Sequence, residues 1–181
     1  VGLDFVFELT YRSGFQYNGP AGYNWEHNWN ARCKDSGAGS SGDVTRLAGT
    51  RRDIYTASGD DLTSPTGFFE HSITRIQASP DRIERRLQDG TLEVYTKLDA
   101  TNHPAWYFLT DVYHRDGDNA ITLDHDDYER VTQITDTRGC DFYMAYHSSG
   151  LITKLEDWSS GGQSADRTWE FGYTSGDLTS V

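Results

Sequence analysis

The sequence predicts an all-β protein, built of stacked antiparallel β-hairpins that join into an open, twisted sheet. Three observations carry this expectation. In the last third, segments of one pattern follow one another as strand, turn and strand: residues 121–126 with 130–136, 142–146 with 150–155, and 169–173 with 176–181. Their anchor positions 125, 146 and 173 stand 21 and 27 residues apart, a period at which one unit cannot bury its own apolar face and stacks on its neighbours. Along most of the chain Thr, Ile, Val and aromatic residues alternate with polar ones, as in half-buried strands, and no segment reads as an amphipathic helix. Asp-Gly pairs at 89–90 and 116–117 sit between alternating runs, where glycine supplies the positive φ that tight hairpin turns require.

The elements follow in order. Residues 3–11 place Leu3, Phe5, Phe7, Leu9 and Tyr11 on one face at period two, which predicts a long opening strand. Residues 14–22, rich in turn formers with three Gly, one Asn and one Pro, predict a loop, and aromatic–polar alternation returns at 23–31 with Tyr23, Trp25 and Trp29. The Gly/Ser-rich run 34–43 predicts a mobile excursion. From Val44 onward the hairpins become regular. Runs 53–56 and 61–63 flank a turn at 57–60, 67–76 reads as a strand, 81–87 and 91–95 enclose Gln88, Asp89 and Gly90, and 106–113 and 120–123 enclose 115–119. Residues 1–112 thus form a pre-repeat hairpin region and 113–181 carry degenerate repeats. No Pro-rich or Ser-rich linker separates them, so one continuous structural domain is expected.

Charge and composition narrow the function. Sixteen basic against 28 acidic side chains give a net charge of −12, which argues against nucleic acid and anionic membrane surfaces, both bound chiefly by surplus Lys and Arg. No apolar run approaches the roughly 20 residues that span a bilayer. The chain opens at Val1 in a strand-like sequence without an initiator Met, so it reads as processed or excised. Cys33 and Cys140 belong to no Cys-x-x-Cys pair, which leaves a disulfide or two buried thiols. The disulfide, favoured here, implies an oxidising compartment and would contribute about 4–5 kcal/mol on the chain-entropy model.

No catalytic residue, metal site or cofactor is expected. His114, Asp116, Asp118, Asp124, His125 and Asp126 bunch in one hairpin and resemble an acid/base or metal cluster, yet most of them lie at turns where Asp serves local hydrogen bonds. The calcium-loop pattern and the Gly-x-Ser-x-Gly elbow are absent, and Cys140 has no histidine nearby in sequence, which favours a structural thiol. Most of the five Trp and 11 Tyr side chains are expected to pack between hairpins; Trp158, in a turn-rich stretch at 157–162, is the candidate for an exposed face that contacts glycans.

The repeats resemble those of the YD-repeat, or Rhs, family, whose relatives include bacterial wall-associated proteins and the animal teneurins. Their frame is strand, tyrosine, aspartate, a short turn with glycine, and strand. The first unit has His125, Asp126 and Glu129 in those places, the second Tyr146, His147 and Gly150, the third Tyr173, Thr174 and Gly176. Upstream, residues 2–5, 11–13, 22–28 and 63–69 resemble the segment that precedes such repeats, and 116–119 resembles the inter-repeat turn Asp-x-x-Gly-Asn out of register. The resemblance implies a β-sheet that spirals into a hollow shell around a cargo. A chain of 181 residues with about three repeats is too short to close one.

An open stack ends in strands with unpaired N–H and C=O groups. Leu3, Phe5, Phe7 and Leu9 at one end and Leu178 and Val181 at the other are the expected edges for strand addition. The chain is therefore expected to be a non-enzymatic structural module of an extracellular or cell-surface YD-repeat-like protein, with the remainder of a longer parent chain as partner. The alternatives are a self-assembling fibre subunit that pairs with identical copies, and a carbohydrate-binding module.

Overall fold

The computed structural model of the chain describes residues 3–14, 16–37, 42–49, 51–65, 70–158 and 164–181. Among these every regular element is a strand and every strand pairing is antiparallel. The strands are β1 (Leu9–Tyr11), β2 (Asn18–Gly19), β3 (Gly22–Tyr23), β4 (Trp25–His27), β5 (Arg32–Asp35), β6 (Val44–Ala48), β7 (Arg51–Ser58), β8 (Asp61–Thr63), β9 (Glu70–Ile76), β10 (Arg82–Leu87), β11 (Leu92–Thr96), β12 (Trp106–Tyr113), β13 (Ala120–His125), β14 (Val131–Thr135), β15 (Asp141–Tyr146), β16 (Ile152–Trp158), β17 (Arg167–Glu170), β18 (Gly172–Thr174) and β19 (Asp177–Ser180). Residues 66–69, part of both the expected strand at 67–76 and the pre-repeat motif at 63–69, lie outside the described residues, as do 38–41 of the Gly/Ser-rich run and 159–162 of the stretch after Trp158. The chain gathers into two compact units, residues 30–120 and residues 1–29 with 121–181.

In the first unit, β5 to β12 run as a meander in which each strand pairs with the next, and β12 returns to pair with β5. Trp106, Tyr107 and Phe108 stand opposite Lys34, Cys33 and Arg32. The sheet expected to be open closes here into an eight-stranded barrel, a size whose interior side chains just fill.

The filling explains why closure is hard to anticipate. Alternate residues of each strand face inward, and those positions carry Val44, Tyr55, Leu62, Ile73, Ile83 and Tyr107, but also Asp35, Arg46, Asp53, Arg75 and Arg85. On β7 the pattern is inverted, with Asp53 buried and Ile54 exposed. The buried charges are paired, as burial requires. Arg46 donates from Nε to the Tyr95 hydroxyl at 2.6 Å and meets Glu93 at 3.2 Å, while Arg85 Nη1 reaches Glu93 Oε2 at 2.9 Å. Arg75 donates to Asp35 and to the carbonyls of Gly59 and Gly42, which ties the loop after β5 to the turn after β7. Burial works against the Glu93 carboxylate, but Arg46 and Arg85 more than offset it and hold the group below its ordinary range.

In the second unit, β13 to β17 form a five-stranded meander whose buried residues include Ile134, Phe142, Met144, Ile152 and Leu155. The opening segment covers part of this sheet. It forms a ladder only at β1, where Leu9 to Tyr11 pair with His27 to Trp25, so the long strand expected over 3–11 is a short one preceded by an extended run. The period-two pattern still holds in burial: Leu3, Phe5 and Phe7 turn inward and Val6 is exposed. Phe5 stacks on Phe142 with ring centroids 3.7 Å apart and on Trp29 at 5.5 Å. The backbone of this run is held by side chains, for Asn28 Nδ2 and Trp29 Nε1 donate to the Val6 carbonyl at 2.8 and 2.7 Å, and Thr137 Oγ1 to that of Leu3.

Candidate functional site

One local device recurs along the chain. At Leu87, Asp126, Asp136 and His147 the first residue of a turn donates its N–H to the carbonyl of the fifth and accepts from the N–H of the fourth, and the fourth has positive φ: Gly90, Glu129, Gly139 and Gly150. The turn at His114 is one residue longer and has Gly117 in that place. This is the hairpin in which a left-handed residue closes a bulged turn. The first side chain often completes it. Asp126 Oδ1 accepts from the N–H groups of Tyr128 and Arg130 at 2.9 and 3.0 Å, and Asp136 Oδ1 from those of Arg138 and Cys140 at 2.8 and 2.9 Å.

The repeat-defining residues fall on this frame. Asp126 is buried enough to resist ionisation, yet the Arg130 side chain and two backbone N–H groups hold its carboxyl below the usual range. The Tyr146 hydroxyl donates to the Val131 carbonyl at 2.6 Å, and the Arg130 guanidinium lies 4.6 Å from its ring centroid. His125, in the slot that Tyr146 fills in the next unit, is half-buried, and desolvation pushes its pKa down to about 4. Gly150 has φ of 87°, and Gly176, φ 90°, lends its carbonyl to the Tyr23 N–H at 2.9 Å. Tyr173 packs near Gly22; its hydroxyl is buried with no hydrogen-bond partner among the described residues, and burial raises it to about 12.

The acidic and histidine cluster divides between the two units. His114, Asp116 and Asp118 belong to the 30–120 unit, where His114 Nδ1 lies 2.8 Å from Asp116 Oδ2; Asp124, His125 and Asp126 belong to the other. Cys33 and Cys140 also fall in different units, and both are free thiols. Cys33 is fully buried in the barrel, and desolvation pushes its thiol well above the ordinary range. Trp158 ends strand β16 instead of occupying a turn. Its indole is half-buried and meets Tyr143 edge-on at 5.6 Å, and its Nε1 is buried without a partner among the described residues.

A concave site remains in the repeat unit. A groove of about 460 Å³ has an apolar lining of Phe5, Phe7, Leu9, Phe142, Leu155, Trp169, Phe171 and Val181. Among the described residues its two charged side chains are Arg138 and Arg167. Arg138 is the third residue of the turn that begins at Asp136 and donates from Nε and Nη2 to Asp136 Oδ2 at 3.1 and 3.0 Å. Arg167, the first residue of β17, donates from the same two nitrogens to Asp157 Oδ2, Nε at 2.9 Å, and its guanidinium carbon lies 5.5 Å from the Trp169 ring centroid. Both aspartates are buried beneath the guanidinium groups, 2% and 10% exposed against 78% and 69% for the arginines. Among the described residues the lining is apolar apart from these two guanidinium groups, which equips the groove to hold an apolar body.

Sequence reasoning identified Phe5, Phe7, Leu9 and Val181 as sheet edges and did not identify the arginines or the sheet face opposite. The Asp136-x-Arg138 spacing within a turn is the one local signal for a locked guanidinium. Neither a family model nor a curated protein matches the chain.

Proposed function

We propose that this chain is a non-enzymatic structural module of an extracellular or cell-surface protein of the YD-repeat type. The support is the five-residue turn with its left-handed fourth residue, which recurs at Asp126, Asp136 and His147 in the segment that resembles the repeats. Strands joined by turns of one length, each turn closed by its own first side chain, make a unit that extends by addition. The buried ion pairs of the barrel fit the same role, because they fix one packing and are not exposed to a substrate. The test is surface labelling of intact source cells, followed by detection with an antibody against this chain. A labelled, protease-accessible antigen supports the reading; an antigen protected until the cells are lysed refutes it.

A fibre subunit is the second reading, favoured by β17, which among the described residues pairs only with β16. In this reading β17 is one addition edge; at the other end, Leu9, Thr10 and Tyr11 already pair with β4. Light scattering over a range of concentrations decides it: growth in mass that Thr168→Pro suppresses supports the fibre, and a constant monomer mass rejects it.

A further inference from the structure

We infer that the groove of the repeat unit binds an apolar monocarboxylate, of which a medium-chain fatty acid is the simplest form. The volume of about 460 Å³ falls within the range of roughly 300–1,000 Å³ usual for small-molecule sites. The floor is aromatic and aliphatic, so removing an alkyl or aryl body from water there is favourable.

The head group follows from the charges. In a chain of net charge −12, both charged side chains that line the groove among the described residues are guanidinium groups. Each is held side-on by an aspartate through Nε and Nη2, which orients it and leaves its Nη1 end, two N–H donors, for another acceptor. The aspartates lie underneath, so an incoming carboxylate meets fixed donors, and charge-assisted bonds of this kind are roughly twice as strong as neutral ones. Because each Arg–Asp pair is neutral overall, the gain comes from directed hydrogen bonds more than from a long-range field. Arg138 also feels the Asp4 carboxylate, which makes Arg167, stacked near Trp169, the stronger head-group position.

Three ligands with one tail separate the head-group contribution from simple hydrophobic uptake. Sodium decanoate, decanol and decyltrimethylammonium bromide, each below its micelle-forming concentration, are titrated into the whole chain by calorimetry, with tryptophan fluorescence in parallel. Decanoate is expected to bind one site about tenfold more tightly than decanol, with the ammonium compound weakest. Arg167→Gln is expected to remove that tenfold preference and leave decanol unchanged. Since this substitution uncovers Asp157, the pair Asp157→Asn with Arg167→Gln serves as a second variant, checked by circular dichroism for an intact fold. The head-group ranking on the unaltered protein stands independently of either variant. Equal affinity for the three ligands, tighter binding of the ammonium compound, or no saturable binding of any of them overturns the inference.

Discussion

Arg75 and Asp35 face each other inside the barrel, Nε to Oδ2 at 2.7 Å, with side chains only 2% and 0% exposed. Removing one partner strands a buried charge, at a cost of about 3–5 kcal/mol. Asp35→Ala is therefore expected to lower the urea midpoint of the chain sharply, whereas Asp35→Leu combined with Arg75→Met recovers most of the loss. A single-variant cost below about 1 kcal/mol, the level of an exposed pair, would show that the interaction is solvated.

The Phe5 ring anchors the opening segment on Phe142 and Trp29. Truncating a fully buried Phe costs about 3–5 kcal/mol; Phe5 is half-buried, so Phe5→Ala is expected to cost about 2 kcal/mol. Hydrogen exchange should show faster exchange of the Asn28 amide, bonded to the Glu8 carbonyl, with little change in the barrel. Uniform acceleration across both units would contradict the assignment of this segment to a local role.

Gly150 and Gly90 share a positive φ but differ in surroundings. A Cβ at Gly150 meets nothing within 4 Å, while one at Gly90 would come within 2.7 Å of the Arg115 Cβ. Gly150→Ala should cost the dihedral strain alone, about 1 kcal/mol, and Gly90→Ala distinctly more. Thermal melts of the two variants rank them directly, and the reverse order would mean that the local backbone relaxes.

His125 gives the molecule a specific response to mild acid. Its folded pKa, about 4, lies below the value of about 6.5 for an unfolded histidine, so between these values the unfolded chain binds more protons and stability rises with pH. Its contribution is complete above about pH 6.5 and is lost as the pH falls toward 4. Asp126, Asp136 and Glu93, all held below their ordinary values, keep their stabilisation until the medium is more acid. Denaturation at pH 7 and pH 4.5 should show a loss of about 2 kcal/mol or less in the wild type and a smaller one in His125→Phe, which removes the titrating ring. An identical loss in both proteins would assign the effect elsewhere.

Antiparallel hairpins were legible because their signals are local: Gly90 and Gly117 announce their turns, and the alternation of Leu3, Phe5 and Phe7 predicts which side chains turn inward. Barrel closure was not, for two reasons. The pairing of β12 with β5 has no local signature, and Asp35, Asp53, Arg46, Arg75 and Arg85 occupy inward positions that a polarity pattern assigns to solvent. The groove was half legible. Phe5, Phe7 and Leu9 stood out as an unpartnered apolar face, but that Phe142, Trp169 and Phe171 meet them, with Arg138 and Arg167 beside them, depends on contacts between segments far apart in sequence. The Asp126 and Tyr146 slots of the repeat were visible; what they hold, a guanidinium and a carbonyl, was not.

The return of β12 to β5 bears on how the chain acquires its shape. Seven of the eight barrel pairings join consecutive strands and can form as soon as each turn does. The eighth, with Trp106 opposite Lys34, requires the ends of the meander to find each other, and only then are Arg46, Arg75 and Arg85 sealed from water with their partners. Local pairing is fast and long-range pairing slow, so ring closure is the step expected to limit folding of this unit. Substitutions in β5 or β12 would then slow refolding, whereas those in the intervening turns would mainly hasten unfolding.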